Sequence, residues 1–86
     1  DVELKFFEPV YISIDLDGLD PAYAPGVSHP EPGGLSTRDI INFISNIQGE
    51  IIGADIVEYN PYKDINEITA ITAGKLLKEL MGKIIE

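Results

Sequence analysis

Cysteine is absent from these 86 residues, which removes disulfide frameworks, thiolate zinc sites and cysteine nucleophiles together. Positive charge is scarce: 6 Lys and Arg stand against 15 Asp and Glu, a formal net charge of -9. That balance repels a phosphate backbone, so nucleic acid is not an expected partner, while cations are. A solvated acidic surface accounts for the same number, so the placement of the acids has to decide between them. Apolar runs stay well short of the roughly 20 residues that span a bilayer, and the first residues lack the basic start and apolar middle of a secretion signal. No membrane partner is expected, and the cytoplasm is the default location.

The length suits a single small α/β unit near the lower limit for closing a core unaided. Starting at Asp1, the chain reads as a piece of a larger protein. Residues 10 to 16, "VYISIDL", are β-branched and aromatic and read as a strand; residues 51 to 57, "IIGADIV", read as a second. Both are apolar over most of their length, as central parallel strands are. Ser36 with Asp39 forms a capping-box-like opening to a helix. Its apolar face is Ile40, Ile41, Ile44 and Ile47, and Gly49 ends it. A strand, a helix and a strand at this spacing make a crossover unit. Beyond Pro61, Asp64 and Glu67 open a last helix carrying Ile68, Ile71, Leu76, Leu77, Leu80 and Met81. The βαβα pattern buries too little on one sheet face, so it is expected to dock against more sheet.

Between the first strand and first helix, residues 18 to 34 hold four glycines and four prolines, a loop too long for a simple connection. Its entrance is "SIDLDGLDPAYAPG", with acids at Asp15, Asp17 and Asp20. Alternation along an extended strand puts Tyr11, Ser13, Asp15 and Asp17 on one side, the last two roughly 6.6 Å apart. Two carboxylates that close repel, and burying both is costly unless a cation or a proton compensates them. Oxygen-donor pairs suit magnesium, calcium or manganese. The alternative is ordinary turn chemistry, in which the aspartates accept backbone N–H groups of the loop, and this is the favoured reading of Asp20. Glu58 repeats the pattern at the end of the second strand, which would bring it to the same rim. Asp55, inside that strand, is expected to be hydrogen-bonded as support rather than as a ligand. The only histidine, His29, either lines a substrate entrance or sits on the surface.

Together "SIDLDGLDPAYAPG", "PEPGGLS", "GADIVEYNP" and "DINEITAITAGKLLKEL" resemble the C-terminal third of the ureohydrolase family, which includes arginase, agmatinase, guanidinobutyrase and formimidoylglutamase. The match runs over nearly the whole chain from about Val10. The resemblance implies the C-terminal βαβα portion of a three-layer α/β/α arginase-like fold with a parallel sheet, residues 1–86 being a fragment of one domain. It also implies two Mn2+ ions, whose bridging hydroxide attacks a guanidinium carbon to release urea. By motif, Asp15 resembles the aspartate that bridges the ions and Asp17 one that binds chiefly the second. Asp20 matches an aspartate that is not a ligand. Glu58 matches the glutamate that faces the guanidinium, the catalytic and substrate-binding position, and His29 joins it as a substrate-binding candidate.

The family's other ligands, a histidine with a His-x-Asp-x-x-x-Asp cluster and a Gly-Gly-Asp-His stretch, have no counterpart here, so these 86 residues alone are expected to be inactive. "PEPGG" and Asp64 lean towards agmatinase, making agmatine the expected substrate and putrescine and urea the products, with the other three activities as alternatives. "GVSHP", where many agmatinases have Gly-Thr-Gly-Thr-Pro, departs from that pattern at Ser28 and His29. A homo-oligomer, a trimer or hexamer, is implied as well. Two rivals stand beside this reading: a family member that has lost catalysis and acts as a binding or regulatory subunit, and a stand-alone acidic α/β module holding calcium or magnesium at the same rim.

Overall fold

A computed structural model describes residues 4–85. The elements run β1 (Leu4–Lys5), β2 (Val10–Asp15), a 3-10 turn (Leu16–Gly18), α1 (Thr37–Asn46), β3 (Ile47–Gln48), β4 (Ile51–Val57), a second 3-10 turn (Pro61–Lys63) and α2 (Ile68–Ile84). Both strand pairings are parallel, β1 with β3 and β2 with β4. In the larger pair Ser13 stands opposite Asp55, Ile14 opposite Ile56 and Asp15 opposite Val57. The α/β character and parallel sheet are as the sequence implies.

Along β2 the side chains alternate: Tyr11, Ser13 and Asp15 are exposed, and Ile12 and Ile14 turn to the core. The core joins Ile14, Leu16 and Ile44 to Leu76 and Leu80 of α2. The glycine- and proline-rich loop adds Leu19, Ala24 and Val27, all almost fully buried. Asp20 closes the base of that loop, its two carboxylate oxygens accepting the Ala22 N–H at 2.8 Å and the Gly33 N–H at 2.9 Å. This is the turn chemistry expected of it, and those donors hold its carboxyl below the usual carboxylate range.

Helix α1 opens on the expected capping box. The Asp39 N–H donates to Ser36 Oγ and the Ser36 N–H to Asp39 Oδ2, both at 3.0 Å. It ends earlier than its apolar periodicity predicts. Ile47 and Gln48 leave the helix to pair with Leu4 and Lys5, and the Phe6 N–H extends the ladder to the Gln48 carbonyl at 2.9 Å. Ile47 stays buried in this setting, so the apolar side chain is satisfied without the last helical turn. At α2 the expected pair of opening acids splits. Glu67 has a left-handed backbone, φ 62, and makes no capping bond, whereas Asp64 accepts the N–H groups of Thr69 at 2.9 Å and Ala70 at 3.1 Å. Among the described residues no helix is long and apolar enough to cross a membrane.

Candidate metal centre

The acids gather at the carboxyl end of the β2–β4 pair, the rim at which open α/β sheets place their ligands. Asp15 is the last residue of β2. Extension stops there: Asp15 Oδ1 accepts the Asp17 N–H at 3.1 Å and caps the 3-10 turn that follows. Asp17 therefore reaches Asp15 through a turn and not by the strand alternation expected from the sequence. A capped aspartate competes locally with strand continuation, which accounts for the difference.

The turn brings the two acids into side-chain hydrogen-bond contact, the main cause of a raised Asp17 pKa. Partial desolvation and the charges of Asp15 and Glu58 raise it further, and the charge of His29 lowers it. Three of the other sequence candidates, Asp15, Glu58 and His29, thus fall within electrostatic reach of the Asp17 carboxyl. Asp20 faces the loop instead.

Glu58 follows β4 directly and takes a left-handed backbone, φ 71, a conformation that costs a non-glycine residue about 1–3 kcal/mol. One register step below Asp15, Asp55 accepts the Ser13 hydroxyl at 2.6 Å and the Tyr11 hydroxyl at 2.9 Å. It is hydrogen-bonded, as expected, and raises the Tyr11 pKa through that bond. The Tyr11 ring lies across Gly53, where a Cβ would approach it to 3.0 Å.

The donor set fits a hard or borderline divalent cation. Two acids in mutual repulsion favour a shared positive charge, and a carboxylate oxygen that accepts one N–H keeps lone pairs for an ion. Among the described residues no group of three or more His, Cys, Asp or Glu side chains can hold an ion by itself. The pair would need donors from other polypeptide.

Three residues shape this rim, of which the sequence singles out Ser28 alone, as a departure from the agmatinase pattern, and gives Asn60 and Thr69 no role. Asn60 and Ser28 join the strand exit to the His29 segment, and the fully buried Thr69 accepts the Gly26 N–H at 2.7 Å. The Asn-Pro step at Asn60 was the available signal, since asparagine before a turn takes up local N–H groups.

The described residues thus form a parallel α/β unit with carboxylates at its strand tips. Residues 3–82 match the Arginase family model, and the chain belongs to that family. It is 59% identical over 76 residues to the mitochondrial arginase 1 of Arabidopsis thaliana, covering 87% of this chain and 22% of that protein. With the mitochondrial agmatinase of Gallus gallus it shares 46% over 74 residues, covering 85% and 22%. The arginase structure from Medicago truncatula superposes with a TM-score of 0.89 at 56% identity, over 95% of this chain and 27% of that one. A triple mutant of a T. brucei arginase-like protein, solved bound with Mn2+, gives 0.85 at 43% identity, over 91% and 28%. The chain thus spans about a fifth of the length of the curated relatives it matches.

Proposed function

We propose that this chain supplies one wall of the active site of a manganese-dependent hydrolase that splits a guanidino compound into urea and an amine. The observation that carries this reading is the convergence of Asp15, Asp17 and Glu58 at the tips of two paired parallel strands. Asp15 and Asp17 would hold manganese through carboxylate oxygens, with further ligands from elsewhere in the polypeptide. Manganese bound there supplies an activated water near neutral pH and stabilises the charge that develops on the substrate.

Glu58 presents a carboxylate to the planar guanidinium, a charge-assisted, two-point contact that fixes the carbon beside the metal ligands. His29 borders the same space from the loop. Asp55, held by two hydroxyl groups from β2, braces the row of side chains that leads to Asp15.

For the substrate, the relatives favour arginine. Those named arginase reach 54–59% identity, against 41–46% for those named agmatinase. The two features that leaned towards agmatine have structural employment: Gly33 donates its N–H to Asp20, and Asp64 caps α2. Agmatine is the second reading, supported by the agmatinase relatives. A homo-oligomer and a cytoplasmic location belong to the same proposal, to be checked by sedimentation and cell fractionation; several of the arginase relatives carry mitochondrial names.

The test is urea release by the full-length protein loaded with manganese, offered arginine, agmatine and 4-guanidinobutanoate in turn. Arginine is the expected best substrate. Retention of both the manganese stoichiometry and the turnover in Asp15→Ala would overturn the ligand assignment. Manganese binding with no turnover of any of the three compounds would favour a non-catalytic family member.

A further inference from the structure

We infer that Asn60 is a positioning residue: it ties the loop segment before His29 to the strand exit that carries Glu58, and so sets the entrance to the guanidino site. The inference rests on the function proposed above for Glu58 and His29.

Asn60 lies two residues beyond Glu58, and each of its polar groups named here has a partner. Its N–H donates to the Gly26 carbonyl at 2.7 Å. Its Nδ2 donates to Ser28 Oγ at 3.1 Å, and its Oδ1 accepts the Tyr62 N–H at 3.1 Å, capping the turn at Pro61–Lys63. An amide is the side chain that both accepts from Tyr62 and donates to Ser28 in one orientation. From the other side, the Gly26 N–H donates to Thr69 Oγ1 at 2.7 Å. A Cβ at Gly26 would meet Asp64 Cβ and Thr69 Oγ1 at 3.0 Å and the Asn60 carbonyl oxygen at 3.1 Å. Gly26 is therefore clasped between the exit of β4 and the start of α2, and Ser28 is tied to the same strand exit by the Asn60 amide. His29 is the next residue, so its backbone takes its place from that clasp.

The Asn60 to Ser28 bond is exposed, and of this set it is the link nearest in sequence to His29. Losing a neutral hydrogen bond of this kind lowers the ratio of molecules with the segment in place to those without by about three- to tenfold. Apparent substrate affinity falls with the ordered fraction, by at most the same factor, because only that fraction binds. The chemical step, which occurs in molecules already ordered, keeps its rate.

The experiment uses the full-length protein with manganese and arginine. Ser28→Ala is expected to raise KM by up to about tenfold with kcat within about twofold, to leave the manganese stoichiometry unchanged and to speed amide exchange at residues 27–29. Ser28→Thr, which keeps the hydroxyl, restores both readouts. Asn60→Ala raises KM at least as far, and the double variant goes no further than Asn60→Ala, because both single changes remove the same bond. Wild-type KM in Ser28→Ala, or KM effects that multiply in the double variant, would overturn the inference. Unchanged exchange at 27–29 would overturn it without any appeal to turnover. Absence of urea release from the wild type beside faster exchange in Ser28→Ala would overturn the site reading and the entrance role with it, leaving the clasp standing.

Discussion

Replacing Thr69 by valine removes one buried hydroxyl together with the two hydrogen bonds it makes. Thr69 is 0% exposed, and valine matches its shape, so the substitution opens no cavity. It removes the oxygen that accepts the Gly26 N–H at 2.7 Å and the hydroxyl that donates to Asp64. The Asp64 carboxylate retains the N–H groups of Ile65, Thr69 and Ala70 and the Tyr59 hydroxyl. The Gly26 amide has no replacement: its segment is walled in by Asp64, Asn60 and residue 69, and Val27 beside it is fully buried.

A buried donor left without a partner costs about 1–3 kcal/mol, and one more buried methyl returns at most about 0.8 kcal/mol. Native-state amide exchange at Gly26 reads the local opening free energy directly. Thr69→Val is expected to lower it by about 1–3 kcal/mol, while Thr69→Ser, which keeps the acceptor, leaves the Gly26 amide protected. A Thr69→Val value within about 0.5 kcal/mol of wild type, or equal loss of Gly26 protection in Thr69→Ser, would refute the reasoning.

Leu16→Ala removes a side chain with 0% exposure at the centre of the core and should cost about 2–5 kcal/mol, read as a lower urea midpoint at constant slope. Acid should weaken the fold through Asp64. Desolvation pushes its carboxyl up, but the N–H and hydroxyl donors around it win and hold the pKa at about 2 against an ordinary 3.8. A carboxyl lowered on folding contributes stability above its unfolded pKa and loses that contribution as pH falls from about 4 to about 2; urea midpoints across that range should fall, and fall less steeply in Asp64→Asn. At the proposed site, Glu58→Gln should keep its manganese while urea release drops about ten- to hundredfold, the worth of one charge-assisted bond. Metal analysis beside a urea assay separates the two effects.

Local signals carried most of the fold. The Ser36 and Asp39 capping box, the apolar runs of β2 and β4 and the Asp20 turn each depend on residues within a few positions, and each formed as its chemistry implies. The failures came from distance. Ile47 and Gln48 carry helical periodicity, yet Leu4 and Lys5, more than forty positions away, draw them into a strand pair. Glycine and proline content marks residues 18–34 as a loop but hides that Leu19, Ala24 and Val27 complete the core. At the site, the acids themselves were legible as charge at the ends of apolar strands. Their shared rim followed from the expected pairing of the two strands; the local route was hidden, because it runs through two departures from regular strand geometry, the turn after Asp15 and the left-handed backbone at Glu58.

Those departures share one physical cause. Ile14 and Ile56 are paired in the core, and Asp15 and Val57 follow on the other face. If both strands simply continued, Glu58 would fall opposite Leu16, whose side chain is wholly buried. A carboxylate forced to that side would lose its hydration with no partner, at a cost of several kcal/mol. The left-handed backbone at Glu58, worth about 1–3 kcal/mol of strain, is the smaller penalty, and it breaks the alternation before the acid can follow it. On β2, the Asp15 cap ends the strand in a 3-10 turn in which Leu16 stays buried while Asp17 contacts Asp15. A core leucine on one strand thus dictates where the acid on its neighbour cannot go, and the carboxylates meet at the rim because the interior excludes them.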